Sequence, residues 1–402
     1  MNRKFVIKNS LCWFFFVWCF AANAQSFLSE QAKISLLTTT PNDNAVFTLY
    51  GHTSIRVQDI DADNKKIDSV FNYGMFDPSI PYFMYRFAKG ETDYWVDSYD
   101  FQLFIFERQW QNSSVYEQEL NLTQQEKQAL WQALIINVQP ENRMYRYNYF
   151  FDNCATRPAI LIEQIVSGQL IYEDITANQT FRDIINYCTR DHPWLTFGCD
   201  LVLGLPTDRK VTLHESFFIP EYLQKAYSTA QIVNSDGTRR PLVSAEYLLI
   251  DNISDEASGK LFFTPFVCNW LLFAIVLWIT LIEWRRKTYF RIVDCLFFFI
   301  AGIAGCIVFF LFFLSEHPGI WPNISAVWLH PFHLVAVVLF AVKKRNKVAY
   351  SYHFINFVAL LLMLIAWIFI PQHLNIAFIP LIAILMLRSG YCLIGHKQVR
   401  IR

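Results

Sequence analysis

From residue 265 onward the sequence is a series of five apolar stretches, at about 265–283, 293–314, 325–342, 354–370 and 376–390, separated by short polar loops. An apolar helix needs about 17–20 residues to cross the hydrocarbon core of a bilayer, a length several of these reach and the last falls short of. The charges between them set an orientation. Arg285-Arg286-Lys287 with Arg291, Lys343-Lys344-Arg345 with Lys347, and Arg388 with the tail from His396 to Arg402 fall on alternate loops. Ser315–Ile324 and Pro371–Asn375, the loops between, carry no Lys or Arg. Basic loops stay in the cytoplasm, so everything ahead of residue 264 is expected outside.

The N-terminus requires the same thing independently. Arg3, Lys4 and Lys8 form a basic region, Leu11 to Ala22 an apolar one, and Ala22-Asn23-Ala24 a small-residue cleavage site. The expected organisation is therefore a signal peptide over 1–24, an exported domain over 25–263 and a transmembrane helical domain over 264–402, in the inner membrane of a bacterial envelope with the N-terminal domain in the periplasm. Hydrophobic residues make up 54% of the 402, an excess concentrated in these membrane segments. Lys+Arg and Asp+Glu balance at 34 each, which leaves no electrostatic footprint for nucleic acid.

Within the exported domain, Ala45 to Val57 reads as a strand interrupted at Gly51. Asp59 to Asp68 has the composition of a turn, and Ser69 to Gly74 returns as a second strand, so a hairpin is expected. Tyr94–Tyr99 and Ser114–Leu120 are further candidate strands. Thr123 with Glu126 forms a capping box that starts a helix running to about Asn137. Aromatic Tyr145–Phe151 leads into Asp152-Asn153-Cys154-Ala155-Thr156-Arg157-Pro158, where Pro158 belongs in the first turn of a helix capped by Asn153 or Thr156 and stopped at Gly168. The fold class expected is α+β, a small antiparallel sheet with helices against it, followed by the helical bundle.

Three cysteines remain in the exported domain, Cys154, Cys188 and Cys199. An odd number in an oxidising compartment leaves at least one thiol without an internal partner, and the count does not choose which. Cys154 stands at a helix start, where backbone N–H groups and the helix dipole favour a thiolate, with Arg157 near in sequence to add positive charge. A nucleophilic thiol needs a base, and His52 opens a strand whose rim is a good place to aim an imidazole, with Asn72 or Tyr73 on the partner strand to orient it. Taken one at a time, Cys154 reads more often as a structural thiol and His52 as a strand-end histidine. No metal-ligand spacing supports a metal site, and no cofactor is expected. In the membrane half, His330 and His333 lie near the outer end of the third span, where ionisable groups are costly and often functional. Their alternative is a pair of neutral interfacial histidines; His317 and Trp321 read as interfacial anchors.

His52-Thr-Ser-Ile-Arg-Val57 followed by Asn153-Cys154 resembles the circularly permuted papain-like (NlpC/P60-like) thiol acyltransferases of the lecithin:retinol acyltransferase-like group. More specifically, Gly51-His52-Thr53-Ser54, Asn72-Tyr73-Gly74-Met75-Phe76-Asp77 and Asp152 to Arg157 look like the exported domain of the Lnb-type bacterial lipoprotein N-acyltransferases, which also join such a domain to a small transmembrane bundle. The resemblance implies an enzyme that takes an acyl chain from a phospholipid, holds it as a thioester on Cys154 with His52 as the base, and passes it to the α-amino group of a diacylglyceryl lipoprotein. Phospholipid donor, diacylated lipoprotein acceptor and membrane are the implied partners. The rival readings are a cell-envelope cysteine peptidase or amidase, using water with the same dyad, and a non-catalytic membrane-tethered sensor or assembly protein.

Overall fold

A computed structural model describes residues 27–60, 64–252, 262–341, 347–395 and 400–401; the signal peptide expected over 1–24 lies outside them. Seven strands form one sheet: β1 (Lys33–Thr39), β2 (His52–Ile60), β3 (Lys66–Met75), β4 (Asp93–Asp100), β5 (Val115–Leu120), β6 (Met144–Arg146) and β10 (Val243–Ile250), in the order β10-β5-β1-β2-β3-β4-β6. All the pairings within it are antiparallel. β7 (Gln169–Ile171), β8 (Gln231–Val233) and β9 (Arg239–Pro241) make a small second sheet. The expected hairpin is β2–β3, paired from Ser54 with Asn72 to Ile60 with Lys66. Residues 45–51 are not strand. Val46–Tyr50 is a single 3-10 turn, held by the Thr48 hydroxyl, which donates to the carbonyls of Asn42 and Ala45. β1, an inner strand between β5 and β2, is buried along almost its whole length because both faces of the sheet are covered.

On one face Ile55, Val57, Phe71 and Tyr73 pack with α3 (Gln124–Asn137) and α4 (Thr156–Ile165) through Leu130, Leu134, Ala159 and Ile162. The Thr123–Glu126 capping box starts α3 as expected. On the other face Leu37, Val70 and Val115 pack with α2 (Phe101–Trp110) through Phe101 and Phe104. Buried Arg56 pins that helix: it pairs with Asp68 at 2.8 Å and Glu117 at 3.1 Å, and its guanidinium lies 3.2 Å over the Phe101 ring. α1 (Phe83–Lys89) connects β3 to β4; α5 (Phe181–Cys188), α6 (Pro193–Val202), α7 (Leu213–Ser216) and α8 (Pro220–Thr229) complete the domain.

Among the described residues five segments are long and apolar enough to cross a membrane. They are built from α9 (Pro265–Arg286), α10 (Arg291–Leu314), α11 (Phe332–Ala341), α12 (Lys347–Ile365) and α13 (Ile379–Gly395). The third span is broken. A 3-10 turn at Ile324–Val327 precedes α11, because Pro331 lacks the N–H that a helix would use and disfavours helical geometry at His330. Gly305 of α10 accommodates the break: a Cβ there would meet the His330 backbone at 2.5 Å. The fifth span reaches Ile394, longer than its apolar core suggested. Arg388, counted among the cytoplasmic charges, is instead fully buried between Glu283 of α9 and Asp294 of α10.

The two halves are hydrogen-bonded through the basic-free loops. Gly204 N–H donates to the Gly319 carbonyl (2.7 Å) and Leu205 N–H to the Pro322 carbonyl (2.8 Å). Asn323 Nδ2 donates to the Leu201 carbonyl, Gln372 Nε2 to that of Leu203, and Asn375 Nδ2 to Asp200 Oδ2.

Candidate active site

Gly51 fixes where the histidine strand begins. Its φ is +77° and a Cβ would stand 2.8 Å from the Thr39 carbonyl oxygen, so the chain turns there as only glycine does without strain. His52 follows at the rim of the sheet, half-buried and opposite Thr39. Its Nε2 lies 3.2 Å from Oδ1 of Asn72 on β3, and that oxygen also accepts from Ser54 Oγ at 2.6 Å. An amide oxygen only accepts, so Nε2 carries the ring proton and Nδ1 is left as the basic nitrogen. Asn72 is therefore the orienting residue. Tyr73, the alternative, points through the opposite face, where its hydroxyl accepts from Asn137 Nδ2 at 2.8 Å.

Asn153 builds the other wall. Its Oδ1 accepts from the N–H groups of Ala155 (2.8 Å) and Thr156 (3.0 Å), while its Nδ2 donates to the carbonyls of Tyr149 (2.9 Å) and Phe218 (2.8 Å). Thr156 Oγ1 accepts from the Asn153 N–H at 2.8 Å; the N-cap position itself falls on Ala155, and of the two residues expected to cap, Asn153 is the one whose side chain takes a helix-start N–H. This clamp holds Cys154 just ahead of α4, where the backbone N–H groups of Thr53 and of Cys154 itself pull its thiol pKa down. The approach to β3 is close: a Cβ on Gly74 would lie 3.2 Å from that of Cys154. Gly74 sits in a bulge, where Tyr73 and Gly74 lie between the Asn72–Asp97 and Met75–Trp95 pairs, and its φ is +87°. Counting the β2–β3 ladder on from Ser54–Asn72 brings His52 level with Gly74. Histidine and cysteine thus converge on the same rim, although no hydrogen bond joins them directly among the described residues.

Electrostatically the pair rests neutral. Burial pushes the Cys154 thiol up to about 11, against the pull of the Thr53 N–H, its own N–H and Arg108. Burial also pushes His52 down to about 3, assisted by Arg108 and opposed by the Asn72 hydrogen bond. At this sulfur desolvation outweighs the N–H groups, which favours the thiol over the thiolate that the helix start alone would suggest. The nearby cation is Arg108 of α2, not Arg157. Arg157 is engaged by Asp152 at 2.5 and 2.8 Å and lies 3.6 Å over the Tyr145 ring. Arg108 donates to Gln111 Oε1 (2.7 Å) and Glu107 Oε2 (3.3 Å) and keeps a buried Nε without a partner. Its place in the site has no local sequence signal, since α2 meets the Cys154 loop only through the folded sheet. Tyr145 and Tyr147 complete the wall: burial raises both phenols, and each also feels Cys154.

The site abuts the membrane half. Tyr149 donates its hydroxyl hydrogen to the Pro318 carbonyl at 2.8 Å, and His317 packs between the Phe87 and Tyr149 rings with Nε2 2.5 Å from the Phe87 carbonyl. His317 is thus a docking residue and not a lipid-facing anchor, and burial lowers its pKa. His330 and His333 are not brought to Cys154. They stack on one another at 3.9 Å, and His333 is fully buried in the bundle, bonded to the Trp328 carbonyl and the Tyr352 hydroxyl, so it does not present a membrane face. Cys188 and Cys199 are separate thiols; the disulfide open to them is not formed. Among the described residues no three His, Cys, Asp or Glu side chains group as metal ligands would.

Two family models match the chain: the Lnb N-terminal periplasmic domain over residues 21–187 and the Lnb transmembrane domain over residues 256–399. No curated protein and no solved structure matches it.

Proposed function

We propose that this chain, which belongs to the Lnb family and carries both of its domains, is a lipoprotein N-acyltransferase working through a Cys154 thioester. It is a multi-pass membrane protein with its N-terminal domain in the periplasm. The observation that carries the reading is the convergence of an Asn72-oriented His52 and an Asn153-clamped Cys154 on one sheet rim. The strand-then-helix order of the two residues is that of a permuted papain-like site, which is the fold we assign to the domain.

His52 Nδ1 takes the proton from Cys154 Sγ as the sulfur attacks the ester carbonyl of a phospholipid. The Cys154 N–H, which the Asn153 clamp leaves unengaged, holds the oxyanion that forms, and its collapse expels the lysophospholipid alkoxide, which takes the proton back from His52. The α-amino group of a diacylglyceryl lipoprotein then attacks the thioester, and Cys154 leaves as thiolate and is reprotonated. An amine attacks a thioester far more readily than an oxygen ester, which is what the intermediate contributes. A neutral resting pair suits this order: the proton leaves Sγ for His52 in step with attack on the carbonyl, and a protonated thiol is slow to oxidise in the meantime. The loop that carries Cys154 is anchored on Pro318 of the bundle, which supports a site served by membrane-embedded substrates.

The test is to incubate the purified full chain with phosphatidylethanolamine and a synthetic diacylated lipopeptide. Lysolipid and N-acyl lipopeptide should form together, with acyl-Cys154 trapped when lipopeptide is withheld. Lysolipid and free fatty acid without N-acyl product would establish a hydrolase instead.

A further inference from the structure

The wall of the site holds a hydrogen-bond donor with nothing to donate to. Tyr145 is 8% exposed, and among the described residues its buried hydroxyl finds no acceptor for its hydrogen. Three features aim it. Tyr145 pairs with Tyr94 on β4, the neighbour of β3. Its hydroxyl faces the Gly74 amide, and Gly74 is the residue pressed against Cys154. Arg157, tied to Asp152 two residues before the nucleophile, covers the ring. A buried polar group left unpaired is costly, and one beside a nucleophile is where a ligand can complete it.

We propose that the Tyr145 hydroxyl is a side-chain oxyanion donor in this site, completed by the carbonyl oxygen of the acyl group as it is transferred. The inference rests on the thioester mechanism above. When Sγ bonds to the ester carbon, the C=O π pair moves onto oxygen, and the Tyr145 O–H donates to that oxygen without giving up its proton. On collapse the pair returns to re-form C=O as the C–O bond to the lysophospholipid breaks. The same donor serves the second tetrahedral intermediate, formed when the amine adds to the thioester and resolved when the C–S bond breaks. Burial keeps the phenol protonated, which the role requires. The guanidinium over the ring draws electron density from it, which strengthens the O–H as a donor. The ligand class is thus any acyl carbonyl, ester or thioester.

The test is Tyr145→Phe in the full chain, which deletes the hydroxyl and nothing else. Acyl-Cys154 formation is followed by intact mass in single turnover, with phosphatidylethanolamine and, separately, with a p-nitrophenyl acyl ester. Because the hydroxyl hydrogen has no acceptor to strand and only the Gly74 N–H faces its oxygen, the melting temperature should change little. Acylation should slow about 10²-fold or more with both donors, with donor affinity retained. Equal acylation rates for wild type and Tyr145→Phe would overturn the oxyanion role while leaving the transferase reading intact, as would a loss of rate that merely tracks a fall in melting temperature. A wild-type Cys154 acylated by neither ester would overturn both.

Discussion

Tyr149 bonds in two directions at once: its carbonyl accepts from Asn153 Nδ2 at 2.9 Å and its hydroxyl donates to the Pro318 carbonyl at 2.8 Å. The residue that steadies the cap of the nucleophile's helix is therefore the same one that grips the membrane bundle. Tyr149→Phe breaks only the second bond. We expect stability to fall by about 1 kcal/mol. N-acylation from bilayer donor should drop several-fold, while acylation by a soluble p-nitrophenyl ester is kept. Equal losses on both donors would show that the bond serves the fold alone.

Asn72 selects the tautomer of His52 by offering Nε2 an oxygen at 3.2 Å. In Asn72→Ala the ring loses that partner, and kcat should fall about 10²-fold with KM little changed. Asn72→Asp works in the opposite electrostatic sense. A carboxylate at that distance raises the His52 pKa from about 3, so the base form is lost at higher pH and the acid limb of the activity profile moves upward. An unmoved limb would mean that His52 is not the group titrating.

With the thiol at about 11, roughly one Cys154 in 10⁴ is ionised at pH 7. Alkylation of Cys154 by iodoacetamide, followed at that peptide by mass spectrometry, should accelerate about tenfold per pH unit until near pH 11. Arg108→Gln removes a charge that lowers the thiol, and should slow alkylation at every pH below the plateau. A plateau reached below pH 8 would show a preformed thiolate–imidazolium pair and refute the neutral resting site.

Gly74→Ala puts a methyl group 3.2 Å from the Cys154 Cβ and a side chain at a φ of +87°. The backbone cost is about 1–2 kcal/mol. Activity should fall by far more than stability, because the methyl group displaces the nucleophile from the rim. Wild-type acylation with a lowered melting temperature would show that the bulge is only structural.

What could be read in the sequence was what is locally encoded. Gly51 before His52, the Asn153 cap beside Cys154 and the Thr123–Glu126 box are each specified by residues within a few positions, and each forms. Strand parity already separated Asn72 from Tyr73, but choosing between them required knowing which face His52 shares. Val46–Tyr50 misled because its aromatic and aliphatic residues favour strands, whereas the Thr48 hydroxyl closes a tight turn instead. β1 was not identifiable, since a strand covered on both faces loses the alternation that marks one. Arg108 and Tyr145 were out of reach for a different reason. Their roles depend on which elements the sheet brings beside Cys154, and neither belongs to a motif. The membrane spans were the most legible part, apart from Arg388, whose burial is decided by carboxylates on two other helices.

That arrangement has a bearing on how the protein is made. Glu283 and Asp294 belong to the first two membrane helices, and Arg388 to the last. During synthesis the two acids enter the bilayer long before their counter-ion exists, and chains lengthen by only about 5–20 residues per second. For several seconds the nascent bundle therefore holds two acids, bonded to Tyr289 and the Phe290 N–H, without the arginine that later lies between them, a state lipid tolerates poorly. Only completion of the final helix brings in Arg388, so the first two membrane helices reach their final packing last.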